Sequence, residues 1–88
     1  MSKENNKVSV LISTYNNEDC IRESVESIQK QTYKELEILI IDDGSNDGTL
    51  KICEKLSSDD SRIRVFKNEN NIGLTKSLNI LIKESKGK

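Results

Sequence analysis

The residues able to do chemistry are concentrated at positions 36–55, LEILIIDDGSNDGTLKICEK, where an apolar run stops at Asp42 and Asp43 and gives way to Gly44, Ser45, Asn46, Asp47 and Gly48. Three chemistries can be written on this stretch. As a calcium loop, Asp43, Ser45, Asp47, Gly48 and Glu54 fall at positions 1, 3, 5, 6 and 12 of an EF-hand, with Leu50 at apolar position 8. The serine departs from the strict motif. The motif also needs a helix on both sides, and the incoming Ile38, Leu39, Ile40 and Ile41 are strand-like. As a phosphate loop the stretch lacks the lysine and hydroxyl that follow the glycines, and it has no G-x-G-x-x-G. The third chemistry is a carboxylate held at a strand end. Strand side chains alternate, so Asp42 and Asp43 point to opposite sides, one toward a ligand edge and the other bracing the loop. A carboxylate only accepts hydrogen bonds and suits an N–H donor such as the N3–H of uracil. Tyr15, at the end of a neighbouring strand, is placed to stack on the same base; it reads equally well as a half-buried cover for the sheet edge. For at least one of the two aspartates, helix capping and turn formation is the plainer reading.

The elements that must position these groups follow from periodicity. VSVLIST (8–14) is short and β-branched, LEILII (36–41) is strand-like, and IRVFK (63–67) alternates with Ile63 and Val65 on one face. Between them, Ile21, Val25 and Ile28 mark one helix face, with Asn16 or Asn17 expected to cap it and Glu18 and Asp19 to favour its dipole. Leu50, Cys53 and Leu56 mark a second helix that the polar SSDDS ends. NENNIG is a connector, and Leu74, Leu78, Leu81 and Ile82 form one stripe of a last helix, with Gly87 as its C′ residue. The order β-α-β-α-β-α predicts parallel strands joined by right-handed crossovers. The first two runs are nearly continuous in apolar residues, as in strands covered on both faces. Ligands of such sheets bind at the carboxyl ends of the strands, which brings STYNN and DDGSND to one edge.

The whole chain, 88 residues, is one small domain with a thin stability margin. Its 14 basic and 15 acidic residues leave a net charge of −1 and no electrostatic footprint for nucleic acid or an anionic membrane. There is no histidine, which excludes zinc sites of the usual kind and histidine general bases. Residues 1–6 read as a disordered polar leader with no signal-peptide core, no run approaches the roughly 18 apolar residues of a membrane span, and the chain reads as cytoplasmic. Cys20 and Cys53 fall at apolar helix positions and are expected to pack as small hydrophobes.

Four motifs then occur in one order: S-T-Y-N at the first strand end, S-I-x-x-Q-T-Y, I-D-D-G-S-x-D-G-T and N-x-G-L-x-x-S-L-N. From about Lys7 to Lys88 the chain resembles the start of a family 2 glycosyltransferase with the GT-A fold. The resemblance implies an α/β fold: a three-layer α/β/α half of a Rossmann-like nucleotide-binding fold, with about three parallel strands alternating with three helices. It implies a nucleotide-sugar donor, most often a UDP-sugar. Tyr15 would lie against the base, Ser13 and Thr14 near the ribose and phosphates, Asp43 on the uracil N3–H, and Asn71 and Gly73 along the nucleotide's border. The arginine that some members carry near the phosphates is replaced by Leu78, with Lys76 a substitute at most. The usual proline before the tyrosine is replaced by Thr14.

In the family a further strand and an acidic D-x-D motif follow, holding Mg or Mn on the diphosphate, and the catalytic base of inverting members lies in the acceptor half. Residues 7–88 are therefore expected to be a nucleotide-sugar-binding subdomain truncated before D-x-D, without metal ligands or base and inactive alone. In a full-length protein it would be partnered by the acceptor-binding half and would work in the cytoplasm or at the inner membrane face. The first strand's far side, normally paired with a fourth strand, is an exposed edge and a route to a homo-oligomer. The rival reading is a small non-catalytic module that binds a nucleotide or a partner.

Overall fold

A computed structural model of the chain describes residues 8–30 and 35–85. The elements are β1 (Val8–Thr14), α1 (Ile21–Gln29), β2 (Leu36–Asp43), α2 (Thr49–Asp59), β3 (Ile63–Asn68) and α3 (Leu74–Glu84). The strands form one parallel sheet in the order β1-β2-β3. The expected leader and the expected role of Gly87 fall outside the described residues.

Alternation along β2 builds two cores. Ile38 and Ile40 pack with Ile21 and Val25 of α1, Cys53 and Leu56 of α2, and Ile63. Leu39 and Ile41 pack with Leu81 of α3, with Leu11, Phe66, Leu78 and Ile80 around them. Two helices thus cover one face of the sheet and one helix the other, the three-layer arrangement expected. Consecutive right-handed crossovers running in one direction keep α1 and α2 on the same side. Because α3 lies over β1 and β2 on the opposite side, the chain turns back across the sheet after β3.

Every residue of β2 is buried, whereas β1 from Val8 to Ser13 is only half-buried. Coverage of both apolar strands on both faces therefore holds for β2 alone; β1, though as apolar, is an edge strand. Three more expectations are corrected. Neither Asn16 nor Asn17 caps α1 with its side chain: the N-cap is Cys20, and the Asn17 carbonyl accepts the N–H groups of Cys20 and Ile21. Cys20 is exposed at that cap, and only Cys53 packs as a small hydrophobe. In α3 the buried line is Ser77–Leu81, while Leu74 and Ile82 are exposed, so the helix is rotated from its apolar stripe. The polar contacts of Ser77 described below account for the rotation. Among the described residues no helix is long and apolar enough to cross a membrane.

Candidate functional site

The carboxyl ends of the three strands form one edge, with Thr14 opposite Asp42 and Asp43 opposite Asn68 in the sheet register. By the alternation that sorts the two cores, Asp43, Ser13 and Asn68 lie on the α3 face, and Asp42 and Thr14 on the α1/α2 face.

Asp43 is 3% exposed, and both its oxygens are engaged. Its Oδ1 accepts from Asn68 Nδ2 at 2.9 Å and from the Ile72 N–H at 2.8 Å; its Oδ2 accepts from the Gly73 N–H at 2.9 Å. Gly73 is the N-cap of α3, which has no side-chain cap of its own. Asp43 therefore supplies the negative charge at that helix's positive end from another strand. Burial pushes the Asp43 carboxyl up, but the bonds from Ile72, Asn68 and Gly73, with the Ser77 hydroxyl nearby, outweigh it and hold it below its ordinary value. The group is a fixed anion at neutral pH. A carboxylate has about four acceptor positions, so three bonds leave one position for a ligand.

The connector that delivers these N–H groups passes tightly over Gly44. A Cβ at Gly44 would lie 2.7 Å from Asn71 N and 2.8 Å from the Asn70 carbonyl carbon, and its φ of +79° is one that L side chains rarely adopt. Gly44 turns the chain out of β2, and it also permits the close passage of Asn70 and Asn71. Gly73 has φ +98° with open space around it, so conformation alone selects glycine there.

On the other face Asp42 braces its own loop. It accepts from the Ser45 N–H at 3.1 Å and from the Ser45 hydroxyl. Around it the loops after β1 and β2 are stitched together. The Asn16 N–H donates to Ser45 Oγ, the Asn46 N–H to Asn16 Oδ1, the Asn17 N–H to Thr49 Oγ1, and the Gly48 N–H to Glu18 Oε1. Asn16 takes a φ of +47° to do so. Glu18, expected to serve α1, instead serves the N-terminus of α2, where the Thr49 N–H also donates to Asp47 Oδ1.

Among the residues singled out from sequence, Asp43, Ser13 and Asn71 come to the same edge. Tyr15, the first residue beyond β1, is 46% exposed. Thr14 does not join them through its side chain, which is buried on the α1/α2 face with Oγ1 lacking a hydrogen-bond partner. Leu78 packs against the α3-side core and Lys76 is exposed. Asn68 and Ser77 were missed by sequence reading. Only the register that sets Asn68 beside Asp43 could have found them, and it cannot be read from composition or periodicity.

The calcium geometry does not form. Asp43 turns to α3, Ser45 to Asp42 and Asp47 to Thr49, so the loop's donors do not converge. Among the described residues no group of three or more His, Cys, Asp or Glu side chains is placed to hold a metal ion, so these residues do not fit a divalent cation either.

Residues 9–88 match the sequence model of the family described as Glycosyl transferase family 2. An uncharacterized glycosyltransferase of Haemophilus influenzae is 49% identical over 73 residues, covering 83% of this chain and 23% of that protein. The UDP-Glc:alpha-D-GlcNAc-diphosphoundecaprenol beta-1,3-glucosyltransferase WfaP of Escherichia coli is 43% identical over 81 residues, 92% of this chain and 32% of its own length. Among solved structures, S. aureus TarS 1-349 superposes with a TM-score of 0.83 at 37% identity, covering 92% of this chain and 25% of that one. The mannosyltransferase PcManGT of Pyrobaculum calidifontis, solved with GDP-Man and Mn2+, has the same fold with a TM-score of 0.83 at 24% identity, over 90% of this chain and 24% of its own. The chain thus spans about a quarter to a third of the length of these relatives.

Proposed function

The chain belongs to glycosyl transferase family 2, and we propose that residues 7–88 are the part of such an enzyme that holds the nucleotide of an activated-sugar donor, with a uridine diphosphate sugar as the donor. The observation that carries this reading is the combination, at one sheet edge, of a buried anionic carboxylate with an acceptor position to spare and an exposed tyrosine just past the end of the adjacent strand. Asp43 accepts the N3–H of uracil in that last position, and Tyr15 stacks on the base, a contact worth about 1–3 kcal/mol per base in comparable sites. Ser13 and the Asn71 connector border the ribose and phosphates, and Thr14 contributes through its backbone. The E. coli relative named for UDP-Glc supports uridine.

In the whole enzyme the sugar passes to a glycan or other acceptor bound by the remaining part of the protein, in the cytoplasm or at the inner membrane face. A cation supplied from there would offset charge on the departing diphosphate, and a base from there would take the acceptor's proton. Among the described residues no acidic cluster fits the cation, and the 88-residue chain alone is expected to release no UDP from a UDP-sugar.

The test is a titration of the isotopically labelled chain with UDP, with GDP and calcium in parallel, followed by amide chemical shifts. The expected result is shifts at Ser13–Tyr15, Asp43 and Asn71 with UDP, weaker ones with GDP and none with calcium. Absence of any response to millimolar UDP or GDP sinks the nucleotide reading; a stronger response to GDP sinks uridine alone.

Among the described residues no strand pairs with the outer edge of β1, and this supports a second proposal about partners: the chain pairs with another copy along that strand. Sedimentation as a clean monomer at high concentration would remove it.

A further inference from the structure

We propose that Asn68, backed by Ser77, is the positioning residue of this nucleotide site: it fixes the plane of the Asp43 carboxylate so that one acceptor position stays aimed at the base. The inference rests on the nucleotide reading above.

The Asn68 amide has two N–H bonds, and both are used. Nδ2 donates to Asp43 Oδ1 at 2.9 Å and to Ser77 Oγ at 3.1 Å. Ser77 is fully buried in α3, so the Asn68 amide is held between a strand and a helix. Asp43 and Asn68 are direct register partners at the ends of β2 and β3, and their backbones are held by the sheet. The other two donors to Asp43 are the backbone N–H groups of Ile72 and Gly73, and these belong to a connector rather than to a sheet strand. With Asn68 in place, Oδ1 carries two bonds and Oδ2 one, which puts the spare acceptor position on Oδ2. Without Asn68, Oδ1 keeps one bond, both oxygens have a vacant position, and the carboxylate can turn about χ2, a torsion with broad wells. The base contact would then lose its aim, while stacking on Tyr15 would remain.

This separates the proposal from a merely structural role for Asn68. Loss of structure weakens every nucleotide alike; loss of aim weakens only the contact with the base N–H. The experiment compares binding of UDP with binding of UDP methylated at uracil N3, which cannot donate to Asp43. The wild-type chain, Asn68→Ala and the gentler Ser77→Ala are each tested by calorimetry, with amide spectra to check the fold. Wild type is expected to prefer UDP by about tenfold, the scale of one well-made hydrogen bond to a charged group. Asn68→Ala is expected to bind the two nucleotides about equally, and Ser77→Ala to keep part of the preference. In the labelled chain the Asp43 carboxyl carbon should also shift in both variants.

A preference retained in full by Asn68→Ala and Ser77→Ala overturns the positioning role and leaves the nucleotide reading standing. If Asn68→Ala fails to fold, Ser77→Ala decides alone: a preference unchanged from wild type overturns the role. A wild-type chain that binds UDP and its methylated form equally removes Asp43 as the base acceptor, and this inference with it. A wild-type chain that binds neither overturns the nucleotide reading itself.

Discussion

Asp42 closes its hydrogen bonds three residues away, on Ser45, whereas Asp43 reaches 25 to 30 residues along the chain to Asn68, Ile72 and Gly73. The two aspartates are adjacent on one strand and almost equally buried. On the α1/α2 face, order is distributed: several loop-to-loop hydrogen bonds at Asn16, Asn17 and Glu18 share it, most of them exposed, and water can replace each one at small cost. On the α3 face it is concentrated in a single carboxylate that serves a side chain and two backbone N–H groups. A distributed net tolerates single losses, and a concentrated one does not. The face that carries the candidate site is the concentrated one.

The substitution with the largest expected effect breaks both regions at once. Gly44→Ala forces a side chain into a φ of +79° and against the Asn70–Asn71 backbone, so a stability loss on the order of 3 kcal/mol or more is expected in urea denaturation, combining left-handed strain with overpacking. A loss below about 1 kcal/mol would mean the connector yields easily and does not hold the two faces together. Next, Asp43→Ala leaves three donors without their acceptor and should cost about 3 kcal/mol, against about 1 kcal/mol for Asp42→Ala. Equal costs in the same urea experiment would erase the contrast between the faces.

Acid sharpens the comparison further. Burial raises the Asp43 carboxyl and its hydrogen bonds more than offset this; for Asp47 the Thr49 hydroxyl is the main cause of a lowered value. Both therefore bind a proton more weakly when folded than at the ordinary value of 3.8. Their stabilisation is complete above that pH and is lost as pH falls through the lowered values. Thermal melts between pH 5 and 2 should show a falling stability, and Asp43→Asn should flatten the fall. A wild-type curve level across that range would contradict the ionised, hydrogen-bonded carboxylates. The smallest expected effect belongs to the distributed net: Asn16→Ala should cost no more than about 1 kcal/mol, and a larger loss in urea would show that this face too hangs on single residues.

Much of this was legible in the sequence. The three strands, their parallel order and the placement of Tyr15 and Asp43 at one edge follow from β-branched runs alternating with helical periods. The opposed directions of Asp42 and Asp43 follow from the strand period alone. What could not be read were the long-range choices. Asn16 and Glu18 look like local caps for α1, yet the loop after β2 competes for them and wins, because it carries N–H groups with no partner of their own. The rotation of α3 away from its Leu74–Ile82 stripe depends on Ser77 finding Asn68, a match set by the register of β2 and β3. Sequence periodicity records which residues are apolar, and a polar contact across 9 or 25 residues leaves no mark in it.

The remote capping of α3 also bears on the order of folding. An 11-residue helix with no cap of its own is a poor nucleus in water, and its cap sits on a strand about 30 residues earlier. We expect α3 to form late, after β2 and β3 have paired and set Asp43 beside Asn68. A peptide of residues 69–88 should show little helical circular dichroism by itself. In refolding kinetics Ser77→Ala should speed unfolding while leaving the folding rate nearly unchanged, as for contacts absent from the transition state. A slowed folding rate would place α3 in the nucleus instead.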